Sequence, residues 1–389
     1  MLADRVESVT RYSSEYRVFF CVLRECYGNK SHHTVLIPAA GSRPPFSMKQ
    51  VKFMTSLHRG KQSMIFPSRP VVTAWASVAG KKEGEGPLGK SFDLVIPDGK
   101  YGENTWEQAE THFQRTAMDL LLEKAGPDSE TPELVFSGDL LNQCVGSSYA
   151  LRGSGLPALG LYGACSTMAE GLLLAGAMVN AGYAKHAAAL SSSHFAAAER
   201  QYRFPLAYGG QRTPTAQWTV TGAGAVLASA EGSGPVLTGA TVGTVEDKGI
   251  TDANNMGAAM AWAAYRTIRA NLEDLGRRPE DYDRIVTGDL GSLGSAMVRE
   301  FFAADGVRLG ERYTDCGVLI YDREAQDVHC GGSGAGCSAV VLAARLLPGF
   351  SAGQWKRILF CGTGALLSPT TVQQKRSIPA ICHAVVIEN

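Results

Sequence analysis

From Gly60 onward, short apolar runs alternate with longer stretches whose apolar positions recur every three or four residues. The first pattern predicts strands and the second predicts helices. Val71–Val78 is a β-branched run after Pro70, hence a strand. Thr105 precedes a stretch in which Trp106, Ala109, Phe113, Ala117, Leu120 and Leu121 share one helical face. Gly126 is placed to end that helix. Leu134–Ser137 then predicts a short buried strand, closed by Gly138-Asp139-Leu140.

The same order recurs later. Ala258–Leu275 predicts a helix ended by Gly276, Arg284–Thr287 a strand, and Gly288-Asp289-Leu290 follows. The triplets and the helix-ending glycines keep the same offset. Gly163-Ala164-Cys165-Ser166 opens an Ala/Leu-rich helix, as does Ala335-Gly336-Cys337-Ser338 after an insertion. A third echo pairs Thr221–Ala225 with Cys361–Ala365. A repeat this long is a duplicated half, not a solenoid unit. Apolar strands flanked by apolar helices predict a layered α/β sandwich with two helices buried between sheets.

Composition narrows the function classes. Lys plus Arg and Asp plus Glu are 37 each, so the chain lacks the net positive field that favours nucleic acid. Hydrophobic residues make up 45% and charged residues 19%, which excludes wholesale disorder. No charge-free apolar run reaches the roughly 18 residues of a membrane span. The best stretch, residues 171–184, is too short and contains Asn180. The nine cysteines include no CxxC pair, which fits a reducing compartment. Residues 1–59 differ from the rest, with nine Lys and Arg against four Asp and Glu. They predict a disordered extension, or a start truly at Met48 or Met54; the alternative is a basic arm for an anionic membrane surface.

Cys165 lies where small residues lead into an apolar helix. That predicts a sulfur at a buried helix N-terminus, where the dipole lowers a thiol pKa and favours anions. The reading as a thiolate nucleophile stands beside that of a small buried hydrophobe. Asp139 and Asp289, being duplicated, are expected to cap the helices that follow them. Asn142 and Gln143 have no counterpart at Ser292-Leu293, which makes them candidates for ligand contact. The segment 194–212 offers His194, Arg200, Arg203 and Arg212 among Phe195, Tyr202, Phe204 and Tyr208. Glu199 is placed to pair with one of those arginines. His329, Cys330 and Cys337 fit no standard zinc spacing, so no metal is expected.

A cysteine turn inside a duplicated α/β chain resembles the thiolase and β-ketoacyl synthase superfamily. The match is closer to one branch, the stage V sporulation protein AD family. It rests on the segments 60–63, 84–90, 138–143, 212–222, 315–322 and 364–369, and spans about residue 60 to 389. The resemblance implies a five-layer α/β/α/β/α sandwich of two halves, 60–240 and 241–389, and a homodimer through the first half. It implies a protein of endospore-forming bacteria, peripheral to the spore inner membrane. Such a protein binds dipicolinic acid, free or as its calcium chelate, and supports uptake into the developing spore. It works with other proteins of the stage V sporulation A membrane complex. No cofactor is implied, and calcium enters only with the ligand.

Condensing enzymes of the superfamily also need a His, or a His with an Asn, to move protons and hold the oxyanion. Gly288 falls at the first His position, Gly291 near its partner Asn, and Ser333 where the second segment has Asn. His329 is the one histidine near that loop. The resemblance therefore implies a binding protein that keeps Cys165 without its relay. The expected ligand contacts are Cys165, Asn142, Gln143, His194, Arg200, Arg203, His329 and Ser333. The alternatives are a condensing enzyme working through Cys165 and a structural subunit of a spore membrane channel complex.

Overall fold

A computed structural model describes residues 56–126, 131–202 and 211–389, together with the backbone of two strands nearer the N-terminus. The chain divides into two units, Met1–Ser56 and Leu57–Asn389. In the first, Tyr16–Phe19 and Val35–Pro38 pair antiparallel. The expected disorder of residues 1–59 falls mostly outside the described residues. Its boundary is three residues late, because His58–Arg59 already pairs with Ser63–Ile65 in the second unit.

The second unit carries ten principal strands: β1 (Val71–Gly80), β2 (Leu134–Gly138), β3 (Ala158–Gly160), β4 (His186–Ser193), β5 (Gly222–Ser229), β6 (Val236–Thr241), β7 (Arg284–Thr287), β8 (Tyr313–Asp315), β9 (Arg357–Ala365) and β10 (Ala380–Glu388). They run in the order β3-β2-β4-β5-β1 and then β6-β10-β9-β7-β8. β1, β5 and β4 pair antiparallel, while β4, β2 and β3 are parallel. The second set repeats that pattern strand for strand. The duplication is thus a duplication of topology. Its second half begins at β6, a few residues before the expected residue 241.

The helices fill three layers. α1 (Trp106–Ala125) is started by a capping box between Thr105 and Gln108. Its Phe113, Ala117 and Leu121 bury against Val78, Val135 and Leu227 of the first sheet. α5 (Met256–Leu275) covers the second sheet through Ala264 and Ile268, against Ile285 and Leu359. Gly276 ends it in the left-handed conformation, at φ +61°. Between the sheets lie α3 (Thr167–Asn180) and α7 (Ala335–Val341). Their Met168, Leu172, Val340 and Val341 share one core with Phe136, Val226, Phe360 and Val385. Both were expected to be buried helices, and both are. The remaining helices needed below are α2 (Val145–Leu151), α4 (Phe195–Tyr202) and α6 (Gly291–Ala304).

One expected echo is not a remnant of duplication. Thr221–Ala225 enters β5 and Cys361–Ala365 ends β9, and these strands are not equivalents. They share a packing demand instead. A Cβ on Gly224 would stand 2.5 Å from the Ala339 backbone of α7. One on Gly364 would stand 2.3 Å from the Gly163 carbonyl before α3. Glycine recurs where a middle-layer helix turn lies against a strand.

Candidate functional site

Cys165 sits in the 3-10 turn Ala164–Ser166 that leads into α3. Ala164 holds a left-handed φ of +50°, a conformation that costs a non-glycine residue on the order of 1–3 kcal/mol. The turn is held by Ser166 Oγ donating to the Gly163 carbonyl at 2.6 Å and by Thr167 Oγ1 donating to the Ala164 carbonyl at 2.7 Å. The Gly364 contact on β9 sets its depth.

The second half supplies what faces the sulfur. Asp289, fully buried after β7, accepts from Thr363 Oγ1 at 2.7 Å, Ser333 Oγ at 3.0 Å and the Gly334 N–H at 2.9 Å. The Cys165 thiol faces the same carboxylate. Burial and the Asp289 charge push that thiol well above the ordinary range, although the Gly334 N–H and Ser333 oppose the shift. Burial also raises the Asp289 carboxyl, against its hydrogen bonds. The helix-dipole expectation is corrected here: burial and a carboxylate outweigh the terminus, and the thiol stays protonated at neutral pH.

The capping expectation holds for one aspartate only. Asp139 accepts from the Leu141 N–H at 2.9 Å and from Ser147 N–H and Oγ, both at 2.7 Å, so it ties its loop to α2. Asp289 caps nothing. The turn into α6 is held by Asp315, which accepts from Thr287 Oγ1 at 2.7 Å and from the Leu290 and Gly291 N–H groups at 2.9 Å. Burial pushes Asp315 up to about 7. With that turn secured from β8, Asp289 is available to the cysteine.

A narrow, partly open pocket lies beside the sulfur. Leu140, Ala198, Met256 and Leu367 give it apolar walls, and Thr219 and Ser333 give it hydroxyls. Tyr162 and Tyr202 also line it, their hydroxyls 3.3 Å apart. Glu199 of α4 lines it too and accepts from Thr219 Oγ1 at 2.9 Å. No Lys, Arg or His is among the described lining residues. Gln217 Nε2 braces the wall by donating to the Asp289 and Gly332 carbonyls, each at 2.7 Å.

Of the expected contacts, the structure brings Cys165 and Ser333 together at this cavity. It places the others elsewhere. Asn142 and Gln143 are exposed in the turn before α2. His194 is buried against Trp106 and Phe113, with Nε2 2.7 Å from the Gly99 carbonyl, and burial lowers its pKa. Arg200 is ion-paired to Glu107, not to Glu199. His329 has Nδ1 2.7 Å from the Thr213 carbonyl and Nε2 2.9 Å from Asp327. Arg203 lies outside the described residues. Asp289 and Glu199 are the cavity-side acids that sequence reasoning missed. The signal for Asp289 was present, in a duplicated triplet beside a polar, glycine-rich loop, but duplication argued for equal roles. Among the described residues no cluster of three or more His, Cys, Asp or Glu is placed to hold a metal ion.

Residues 60–388 match the family model described as stage V sporulation protein AD. The chain is 44% identical to stage V sporulation protein AD of Bacillus subtilis (strain 168) over 329 residues, covering 85% of this chain and 97% of that protein. Among solved structures it is similar to 3-oxoacyl-[acyl-carrier-protein] synthase III from Aquifex aeolicus VF5. There the TM-score is 0.52 at 14% identity, covering 82% of this chain and 100% of that one. It is also similar to cerulenin-bound OleA from Xanthomonas campestri, with TM-score 0.53 at 15% identity, covering 84% and 100%. At these identities the structural likeness shows the thiolase-like fold alone.

Proposed function

The chain belongs to the stage V sporulation protein AD family, and from its site we propose that it serves sporulation by binding dipicolinic acid, not by catalysing condensation. A role in sporulation follows from the family. The observation that carries the finer reading is the Cys165–Asp289 pair. A thiol held protonated by burial, with a buried carboxylate beside it, is a poor nucleophile, and no histidine is among the described residues lining its cavity. General acid–base groups contribute about 10²–10⁴-fold to such chemistry. The cavity offers apolar walls for a flat ring and, at Tyr162 and Tyr202, hydroxyls for a carboxylate.

Charge favours the calcium chelate over the free dianion. Asp289 is held by neutral donors only, and a carboxylate about 5 Å from it is opposed by about 3 kcal/mol at an effective dielectric of 20. A one-to-one chelate is neutral and escapes that term. The expected homodimer is proposed through β3, whose three residues are exposed at the end of the sheet beside exposed Tyr149 and Tyr162. No described helix is long and apolar enough to cross a membrane. We place the protein at the periphery of the spore inner membrane, beside other proteins of the stage V sporulation A complex.

The test is a calorimetric titration with dipicolinate, with and without calcium, beside acetyl-CoA. Saturable heat that is larger with calcium and falls at least tenfold in affinity in Ser333→Ala supports the reading. No dipicolinate heat with thioester labelling of Cys165 would make the protein a condensing enzyme. Neither signal, with partner binding intact, would leave a structural subunit of the membrane complex.

A further inference from the structure

The strand pair Trp218–Thr219 and Gly332–Ser333 is the wall of the Cys165 cavity. Thr219 and Ser333 line the cavity; Trp218, the next residue on its strand, is on the other face. Its ring is stacked on Phe195 at 3.8 Å, with the planes 9° apart. Two cations converge on the same ring. Lys82 Nζ lies 4.1 Å from its centroid and the Arg212 guanidinium 4.8 Å. The two charges are therefore no farther apart than the sum of those distances.

Little among the described residues balances them. Arg212 Nη2 donates to the Asp327 carbonyl at 2.7 Å and to its carboxylate at 3.0 Å, but that carboxylate is 77% exposed and shared with His329. Arg212 Nη1 is buried and has no acceptor among the described residues. The Lys82 ammonium has no carboxylate within ion-pair distance there. Glu83, next along the chain, is turned inward, where it accepts from Tyr321 Oη and the Thr221 N–H. The frame of the site is fixed: Gln326 Nε2 donates to the Lys82 backbone carbonyl at 2.8 Å, Asp327 holds one arm of Arg212, and Phe195 stacks on the indole. Like charges gathered on one aromatic ring, with a buried Arg212 N–H lacking an acceptor among the described residues, suit an incoming oxyanion.

We propose that Lys82, Arg212 and Trp218 form a binding site for a small carboxylate or phosphate, distinct from the Cys165 cavity and on the far side of its wall. The site does not depend on what the cavity binds. The full-length protein is titrated at low chloride with sodium phosphate and, separately, with sodium dipicolinate without calcium, followed by calorimetry and by tryptophan fluorescence. Phosphatidylglycerol vesicles in a sedimentation arm separate a lipid phosphate from a free ion. The expected result is saturable anion binding in at least one arm, with affinity falling at least tenfold in Lys82→Met and in Arg212→Met. Lys82→Met removes a half-buried surface charge, so it tests the site even where Arg212→Met unfolds. Absence of saturable binding in all arms, or affinities unchanged in a folded Lys82→Met protein, would overturn the proposal. Loss of dipicolinate binding in Ser333→Ala alone would speak to the cavity, not to this site.

Discussion

Two Gly-Asp-Leu turns, at residues 138–140 and 288–290, end equivalent strands of equivalent halves, yet their aspartates do different work. Asp139 closes hydrogen bonds within its own loop and α2. Asp289 reaches out of its turn to Thr363, Ser333 and Gly334, and faces the thiol of the other half. The cysteine turns diverge in the same way. Cys165 opens on a cavity, whereas Cys337 is sealed, with its sulfur 3.5 Å from the Gly288 carbonyl. Duplication copies the backbone path, and side-chain roles then separate wherever a neighbour takes over a structural duty. Here the neighbour is Asp315, which holds the turn that Asp289 would otherwise cap.

The largest expected effect falls on the packing that seats the cysteine turn. Gly364→Val would drive a side chain into the Gly163 carbonyl from 2.3 Å. We expect little soluble folded protein, or a loss above about 3 kcal/mol, read by denaturant unfolding. Next come the two aspartates. Asp139→Ala and Asp289→Ala each strand three or more buried donors, so both should cost about 3 kcal/mol or more. Only the second should abolish ligand heat. Equal loss of ligand binding in a folded Asp139→Ala protein would erase the contrast between the turns.

The smallest effect is in pH dependence. Burial raises Asp315 to about 7, above the ordinary carboxyl value of its unfolded state. The folded protein then binds more protons than the unfolded one between roughly pH 4 and 7. Its contribution is therefore most favourable below the unfolded pKa and fades as pH rises through 7. Asp315→Asn should flatten the stability profile across that window by about 1–3 kcal/mol. A profile as steep as the wild type's would mean that the carboxyl ionises freely.

The layers, the buried middle helices and the duplication were legible because hydrophobic periodicity and burial go together. The cysteine turn was legible because small residues before an apolar helix have few other uses. The ligand-facing side chains were not. His194 and Arg200 lie in a suggestive aromatic and basic stretch, but Gly99 and Glu107, far away in sequence, claim them first. His329 is likewise held by Thr213 and Asp327. Such long-range partners leave no local pattern. Asp289 was misread for the opposite reason, since its local pattern is shared with a residue that does something else.

The central claim is that burial, reinforced by Asp289, keeps Cys165 protonated and so makes this a binding site. It is tested most directly by the pH dependence of Cys165 alkylation, resolved by mass spectrometry, in the wild type and in Asp289→Asn. The wild-type rate should still be climbing above pH 9, and the variant's curve should move to lower pH because the opposing charge is gone. A wild-type rate that levels off near pH 7, unchanged by the substitution, would mean a thiolate poised for chemistry and would contradict the account.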